Sequence, residues 1–194
     1  FKSIKRPEFY KTPEGIRRAF IQVDAGVKLS YLAKYSARYG LKGIENLVGV
    51  PGSVGGAVVM NAGAEGTEIG EVIRSVKRIS LDGEIEVFNK KQMAFEYRKT
   101  TFPSKSGIII EVELDLVKGE TADIHRAMDK YLSRRSSTQP LTMPNSGSIF
   151  KNPEGHSAGK IIESVGLKGY QIGGAGISIK HANFIVNKGN ASAK

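Results

Sequence analysis

The chain has 194 residues, a formal net charge of +10 at pH 7 and no cysteine. Its length and its 40% hydrophobic content are typical of a folded protein with one large or two small domains, and we expect two. No apolar run approaches the roughly 20 residues of a membrane span, and no signal-peptide core stands at the N-terminus, so we expect a cytoplasmic protein without membrane contact.

The absence of cysteine excludes a disulfide framework, a thiolate metal site and a cysteine nucleophile. The positive charge favours anionic partners, which are nucleic acids or phosphorylated small molecules. However, no run of five basic residues occurs, and the basic residues near the N-terminus are not interleaved with aromatic side chains as a base-stacking surface requires. We therefore interpret the charge as a solvated basic surface and keep a nucleic-acid-binding module as the less favoured alternative.

The first predicted elements are a strand, a turn and a helix. RRAFIQVDAGVKL (17–29) has the pattern of a strand that ends in a turn. LSYLAKYSARYG (29–40) has helical apolar spacing, and Gly40 is placed to end the helix.

Two further strand patterns follow. VIRSVKRISLDGEIEVFN (72–89) alternates apolar and polar residues on both sides of Asp82 and Gly83, which predicts a β-hairpin with a type I′ turn at that pair. GIIIEVELDLV (107–117) predicts a half-buried strand. The residues that we expect on its buried side are Ile108, Ile110, Val112, Leu114 and Leu116.

The hydrophobic period then changes. In ADIHRAMDKYLSRR (122–135), Ile124, Met128 and Leu132 recur every four residues, which predicts a helix that separates two regions. SSTQPLTMPNSG (136–147) is rich in Ser, Pro and Asn and is predicted to be a loop.

The second region is predicted to contain a short helix and a strand. Ser157 can cap a helix over AGKIIESV, and Gly166 can end it. ISIKHANFIVN (177–187) has the pattern of a strand that leads into the turn KGN.

The segment VGVPGSVGGAVVMNAGAEG (48–66) contains six glycines and no charged side chain before Glu65. Glycine permits positive φ angles and lets a flat or anionic ligand approach backbone N–H groups, which together can form an anion-binding nest. The alternative is that Gly55 and Gly56 only permit two backbone segments to pack closely. The segment matches neither the GxGxxG dinucleotide motif nor the Walker A motif.

Four segments in this order resemble the MurB family, the UDP-N-acetylenolpyruvoylglucosamine reductases. They are GLKGIENLVGVPGSVGGAVVMNAGA (40–64), FEYRKTTF (95–102), NSGSIFKNP (145–153) and GLKGYQIGGA with KHANFIVN (166–187). The resemblance runs from about residue 20 to the end of the chain.

The resemblance implies an α+β fold, with residues 1–120 as part of an FAD-binding domain and residues 121–194 as a smaller substrate-binding domain. It implies a flavoenzyme of peptidoglycan precursor synthesis, in which NADPH reduces FAD and the flavin reduces an enolpyruvyl ether to UDP-N-acetylmuramate. The expected partner is therefore a UDP-sugar, with no nucleic acid, membrane or obligate protein partner. Another FAD-dependent oxidoreductase on the same fold is the alternative.

The resemblance also implies site residues. The cofactor contacts would lie in the glycine-dense segment, at Pro51, Gly52, Ser53, Gly55, Gly56, Asn61 and Gly63. Arg98, in the EYR motif, would stabilise the developing negative charge, and Ser148 would donate a proton. The substrate contacts would be Tyr97, Lys151, Asn152, Tyr170 and His181, and no metal is expected.

Each of these side chains also has an ordinary structural explanation. Read alone, Arg98 is a surface arginine beside a strand and Ser148 is a turn serine. Tyr97 and Tyr170 could equally be core residues with satisfied hydroxyl groups, and a lone histidine such as His181 is more often structural than catalytic.

Two parts of the family pattern are missing. The family has an N-terminal G-G-G-S-N loop that holds the FAD diphosphate and a C-terminal glutamate that assists protonation, and this sequence contains neither. Both ends of the chain therefore look cut. We expect these 194 residues alone to retain FAD weakly and to turn over little substrate. Flavin absorbance after gel filtration measures this, and stoichiometric yellow protein would contradict it.

Overall fold

The computed structural model describes residues 2–104 and 106–192. It divides into two compact units, Phe1–Tyr131 and Leu132–Lys194. The sequence places the domain boundary at residues 120 and 121, at the beginning of a helix, whereas the two units divide inside that helix. Both units combine helices with antiparallel strands, so the predicted α+β class is confirmed.

The first unit is built on antiparallel strands, two α-helices and short 3₁₀ turns. Its strands are β1 (Glu8–Lys11), β2 (Arg17–Asp24), β3 (Leu41–Lys42), β4 (Gly63–Ala64), β5 (Thr67–Glu68), β6 (Ile73–Ser80), β7 (Ile85–Asn89), β8 (Ala94–Glu96), β9 (Lys99–Thr101) and β10 (Gly107–Lys118). Its complete helices are α1 (Leu29–Arg38) and α2 (Val54–Val59). Helix α3 (Thr121–Thr138) begins in this unit and ends in the second.

The main sheet of the first unit has the order β1-β2-β10-β6-β7, and β3 pairs with the end of β10. Every pair in it is antiparallel. On one face, alternating residues of β2 and β10, such as Ile21 and Leu114, are fully buried in a core that also contains Leu32 of α1 and Val54 of α2. The opposite face is polar, with ion pairs such as that between Arg18 and Asp115. The core of the first unit thus lies between helices α1 and α2 and one face of the main sheet.

The predicted strand, turn and helix at the start are confirmed as β2 and α1. Gly40 adopts a φ of +62° directly after the helix, and its N–H donates to Ala37 O. Glycine ends the helix because this left-handed conformation is costly for other residues.

The predicted hairpin is confirmed as β6 and β7, but its turn is different. Of Asp82 and Gly83, only Gly83 has a positive φ. Ser80 N donates to Glu84 O at 2.9 Å, so the loop consists of the three residues 81–83 instead of a two-residue type I′ turn. The observed register sets Val76 opposite Phe88, and both are buried. A two-residue loop would shift the pairing by one residue and break this match, so burial decides the turn.

Strand β10 follows the predicted alternation only in its second half. Val112, Leu114 and Leu116 are buried, whereas Ile108 is 69% exposed and Ile109 is buried instead. The pairing with β6 shifts between Ile109 and Glu111, which is a β-bulge. A bulge inserts one residue, so the side chains before it face the opposite side of the sheet from the prediction.

The second unit contains the end of α3, helix α4 (Ala158–Ser164) and a small sheet. Its strands are β11 (Asn145–Ser148), β12 (Gln171–Ile172), β13 (Ala175–Ile177) and β14 (Phe184–Asn187), in the order β11-β14-β13-β12. No helix in the described parts of either unit is long and apolar enough to span a membrane.

The predicted caps of α4 are confirmed. The Ser157 hydroxyl accepts a hydrogen bond from Lys160 N. At the other end Gly166 has a φ of +73°, and Leu167 N donates to Ile162 O at 3.3 Å, the pattern of a Schellman motif.

Two predictions for the second region are wrong. Residues 136–138 continue α3 instead of entering a loop, and Thr138 Oγ1 donates to Arg134 O one turn back. Residues 177–187 form two strands joined by a turn instead of one strand. Ser178 accounts for the turn, because its hydroxyl accepts bonds from the N–H groups two and three residues later.

Among the residues of the first unit that the structure describes, one charged side chain is buried. Arg78 of β6 is 4% exposed, and its guanidinium lies 3.2 Å from a carboxylate oxygen of Glu86. It also donates to Ser104 Oγ at 2.8 Å and to Ser106 O at 2.9 Å, while the ring of Phe102 lies 4.7 Å from Cζ. Arg78 therefore fastens the segment that enters β10 onto the hairpin.

We expect Arg78→Ala to destabilise the fold by about 3–5 kcal/mol, because it leaves a partly buried carboxylate without its partner. Arg74→Ala is the matched control on the same strand, where the side chain is half exposed and pairs with Glu113. We expect it to cost about 1 kcal/mol or less. Urea unfolding measures both, and equal costs would contradict the assigned role of Arg78.

Candidate functional site

The start of α2 packs against the turn that follows β2. Val54 N donates to Val27 O at 2.8 Å, and Gly55 N donates to Ala25 O at 2.9 Å. A Cβ at Gly55 would lie 2.9 Å from Ala25 Cβ, closer than side chains tolerate. The packing explanation therefore applies to Gly55, whose N–H is already bonded within the protein.

The outer side of the same segment has a different character. Pro51, Gly52 and Gly56 are exposed, and Val59 and Met60 at the end of α2 are 49% and 44% exposed. This surface carries no charge, in a chain whose net charge is +10. It offers apolar area and glycine backbone that a flat ring can approach closely.

Backbone amides are also available at this surface. Gly52 has a φ of +115°, and its carbonyl accepts a bond from Leu29 N. Ser53 caps α2 by accepting from Gly56 N at 3.2 Å. Within the described parts of the chain, no hydrogen bond uses the N–H of Gly52 or Ser53. These features fit part of a site for the flavin that the sequence resemblance implies.

Asn61 does not lie on this surface. It is fully buried with a φ of +39°, and its amide donates to Glu68 Oε2 and to Glu96 O while its carbonyl accepts from Gly70 N. Its side chain is therefore committed to the protein. The structure thus gives Asn61 a structural role behind the surface, and the expected contact between Asn61 and a cofactor stays a prediction.

Arg98 is held in place by neighbouring groups. It lies in the two-residue turn between β8 and β9 with a φ of +55°, a conformation that costs a non-glycine residue about 1–2 kcal/mol. Its Nη2 donates to Gly63 O at 3.0 Å, its Nη1 lies 3.5 Å from Glu68 Oε1, and the Tyr97 ring centre is 4.7 Å from Cζ. Strain of this kind persists where the surroundings impose it and is common at functional sites.

This hairpin is tied to α2. Thr100 Oγ1 donates to Val58 O at 2.5 Å, and Asn61 Nδ2 donates to Glu96 O at 3.1 Å. The structure therefore brings Arg98 and Tyr97 close to Gly63 and to the end of the glycine-dense segment. Tyr97 is 47% exposed, so it is not a core tyrosine.

Ser148 lies in the second unit, at the exposed end of β11 opposite Phe184. The loop that follows is held by Asn183, which is 4% exposed. Phe150 N donates to Asn183 Oδ1 at 3.0 Å, Asn183 Nδ2 donates to Phe150 O at 2.8 Å, and Ile149 N donates to Asn183 O. The NSGSIFKNP loop thus has a rigid base.

The expected substrate contacts of the second unit lie at its surface. Lys151 and Asn152 are exposed, and Asn152 Oδ1 accepts from Ala158 N at 3.1 Å, which ties the loop to the start of α4. Tyr170 is 56% exposed, so it is not a core residue either. These substrate contacts stay predictions.

His181 has a defined structural position. Its Nδ1 accepts a bond from Asn183 N at 3.2 Å, so the ring proton sits on Nε2. Phe184 packs edge-on at 4.8 Å, and Gly159 makes room for the ring, since a Cβ there would lie 3.2 Å from Cε1. Burial lowers the pKa of His181, so the imidazole is neutral at neutral pH.

The sequence analysis missed two residues, Glu68 and Asn183. Asn183 stands in the quoted KHANFIVN motif between apolar residues, where a buried amide needs partners, so its role could have been found. Glu68 stands in a short polar run that predicts nothing by itself. Among the described residues no cluster of three His, Asp or Glu side chains could hold a metal ion.

Comparison with known proteins identifies relatives for both units. A family model described as "UDP-N-acetylenolpyruvoylglucosamine reductase, C-terminal domain" matches residues 139–194, and one described as "FAD binding domain" matches residues 14–89. Proteins named UDP-N-acetylenolpyruvoylglucosamine reductase from Syntrophomonas wolfei and Halalkalibacterium halodurans are 43% and 45% identical over 173 residues. Each match covers 89% of this chain and 58% of the relative, so the chain spans less than two thirds of the length of the curated relatives.

A solved structure is similar as well. The crystal structure of UDP-N-acetylenolpyruvylglucosamine reductase (MurB) from Thermus caldophilus matches with a TM-score of 0.82 and 41% identity. The match covers 89% of this chain and 63% of that chain.

We expect Gly55→Ala to destabilise the first unit by about 1–3 kcal/mol, because the added methyl group forces α2 away from Ala25. Gly56→Ala is the matched control, since its Cβ would meet only Ser53 Oγ at 3.4 Å. Alanine favours the helix, so we expect the control to lose no stability. Chemical denaturation of the two variants measures the difference, and a stable Gly55→Ala protein would contradict the packing role.

Proposed function

Since the chain belongs to the MurB family of UDP-N-acetylenolpyruvoylglucosamine reductases, we propose that the whole protein is an FAD- and NADPH-dependent reductase of peptidoglycan precursor synthesis. Its substrate is UDP-N-acetylenolpyruvoylglucosamine and its product is UDP-N-acetylmuramate. It works in the cytoplasm and binds this UDP-sugar and no nucleic acid. The observation that carries the proposal is the succession, in one chain, of an FAD-binding and a MurB C-terminal family match, at residues 14–89 and 139–194.

The uncharged surface of the first unit supports the cofactor assignment. Pro51, Gly52, Ser53 and Gly56 would hold part of FAD through apolar contact and backbone N–H groups, which satisfy an anion or a ring edge without a cationic side chain. When bound, FAD would supply hydride-transfer chemistry at the β-carbon of the enolpyruvyl group, with NADPH as the source of the hydride. The part of the relatives that this chain does not span would provide the remaining contacts.

Arg98 is the proposed electrostatic catalyst. Hydride addition at the β-carbon leaves an electron pair on the α-carbon, and the adjoining carboxylate shares the negative charge. A guanidinium stays protonated and can bind a carboxylate through two parallel hydrogen bonds, so it lowers the free energy of this state. The contacts of Arg98 with Gly63 O, Glu68 and the Tyr97 ring support this role, because a catalytic charge acts best when it is already oriented.

Ser148 is the proposed proton donor. Its Oγ–H gives a proton to the α-carbon, and the C–H bond formed there completes the lactyl ether. An alcohol is a weak acid, so it can protonate only a strongly basic centre such as this one. The exposed position of Ser148, on a loop that Asn183 holds rigid, supports the assignment.

The remaining substrate contacts are assigned by chemistry. Lys151 would neutralise the diphosphate of the UDP-sugar, and Asn152 would bind the sugar. Tyr97 and Tyr170 present exposed rings that can pack against the sugar or the uracil, and His181, neutral at pH 7, would donate through Nε2.

We expect Ser148→Ala in the full-length protein to leave flavin reduction by NADPH near normal and to slow flavin reoxidation by the enolpyruvyl substrate by at least about 100-fold. The reason is that only the second half-reaction needs a proton at the α-carbon. Stopped-flow absorbance separates the two half-reactions. If reduction by NADPH is slowed and reoxidation is not, Ser148 is not the proton donor.

A further inference from the structure

We infer that Glu68 is a positioning residue for Arg98: its carboxylate, anchored by Asn61 and seated against Gly63, holds the guanidinium in the orientation that the reaction needs. The inference rests on the proposed role of Arg98. The task assigned to Glu68 acts through Arg98 and requires no contact of Glu68 with substrate or cofactor.

The two carboxylate oxygens of Glu68 have different partners. Oε2 accepts from the buried amide of Asn61, and Oε1 lies 3.5 Å from Arg98 Nη1. The Asn61 amide is fixed in turn, since it also bonds Glu96 O and Gly70 N. One oxygen therefore anchors the carboxylate in the protein, and the other presents negative charge to the guanidinium.

The backbone contact to Arg98 comes from the residue opposite Glu68. Gly63 pairs directly with Glu68 in the hairpin of β4 and β5, and Gly63 O accepts from Arg98 Nη2 at 3.0 Å. The guanidinium is thus held from both strands of one hairpin. The centre of the Tyr97 ring lies 4.7 Å from Arg98 Cζ, so the ring covers one face of the guanidinium.

Gly63 makes this arrangement possible. A Cβ there would lie 2.7 Å from Glu68 Cγ and 2.9 Å from Thr67 O. Both distances are shorter than real Cβ atoms show, so any side chain would displace the stem of Glu68. The glycine is required by the approach of Glu68, in addition to any approach of a cofactor.

The charge and the shape of Glu68 can be separated by substitution. Glu68→Gln keeps the length of the side chain and a carbonyl oxygen that can accept from Asn61 Nδ2. It removes the negative charge that faces Arg98 Nη1. The variant therefore disturbs the orientation of the Arg98 guanidinium more than it disturbs the structure of the β4–β5 hairpin.

The test is stopped-flow kinetics of both half-reactions in the full-length protein loaded with FAD. We expect Glu68→Gln to reduce its flavin with NADPH within about twofold of the wild-type rate and to reoxidise with the enolpyruvyl substrate about 10–100-fold more slowly, the effect of a misplaced catalytic group. Glu84→Gln, in the β6–β7 turn, is the matched control and should leave both rates unchanged. If Glu68→Gln slows both half-reactions and lowers the FAD content, the residue has a general structural role and the inference is overturned.

A double-mutant cycle with Arg98→Ala gives the second readout. If Glu68 acts only through Arg98, adding Glu68→Gln to Arg98→Ala should not slow reoxidation further. The inference would be overturned if the two substitutions slow reoxidation by factors that multiply in the double variant. It would also be overturned if Glu68→Gln reoxidises at the wild-type rate while Arg98→Ala is slow. Either result would leave the proposed function intact. A normal rate in Arg98→Ala would overturn the inference together with the proposed role of Arg98.

Discussion

The close approach of α2 to the turn after β2 is the constraint on which the first unit depends. Val54 N and Gly55 N each donate a hydrogen bond to a carbonyl of this turn. The two backbone segments therefore lie so close together that no side chain fits at Gly55. Helix α2 in turn accepts the Thr100 hydroxyl at Val58 O, which fixes the hairpin that carries Arg98. The packing at Gly55 thus connects the sheet, the uncharged surface and the hairpin of Arg98, the proposed catalytic cation.

The glycines of the glycine-dense segment (48–66) have different physical roles. Gly55 and Gly63 are needed for close packing inside the protein, against Ala25 and against Glu68. Gly52 is needed for its positive φ, and it lies at the exposed surface with open space beside it. Packing therefore explains Gly55 and Gly63, whereas ligand approach stays the proposed explanation for the exposed Gly52, and sequence composition cannot distinguish these positions.

The two units solve the positioning of a side chain in a similar way. A buried asparagine lies behind each candidate residue: Asn61 behind the turn of Arg98, and Asn183 behind the loop of Ser148. A buried amide must satisfy both its donor and its acceptor, so it fixes the segments it joins. The side chains of Arg98 and Ser148 can then carry the chemistry proposed for them on segments that the asparagines hold in place.

Local chemistry was sufficient to predict α1 with its terminal Gly40, the caps of α4 and the presence of the β6–β7 hairpin, because these features depend on residues close in the chain. The order of the motifs was sufficient for the family. The three-residue turn and the bulge in β10 were decided by the tertiary structure. Burial in the core selects the hairpin register that sets Val76 opposite Phe88, and the bulge belongs to the pairing of β10 with the distant strand β6. The burial of Asn61 and the place of Glu68 beside Arg98 were decided in the same way. A contact between residues thirty positions apart leaves no periodic pattern in the sequence, and it exists only after the hairpins have packed.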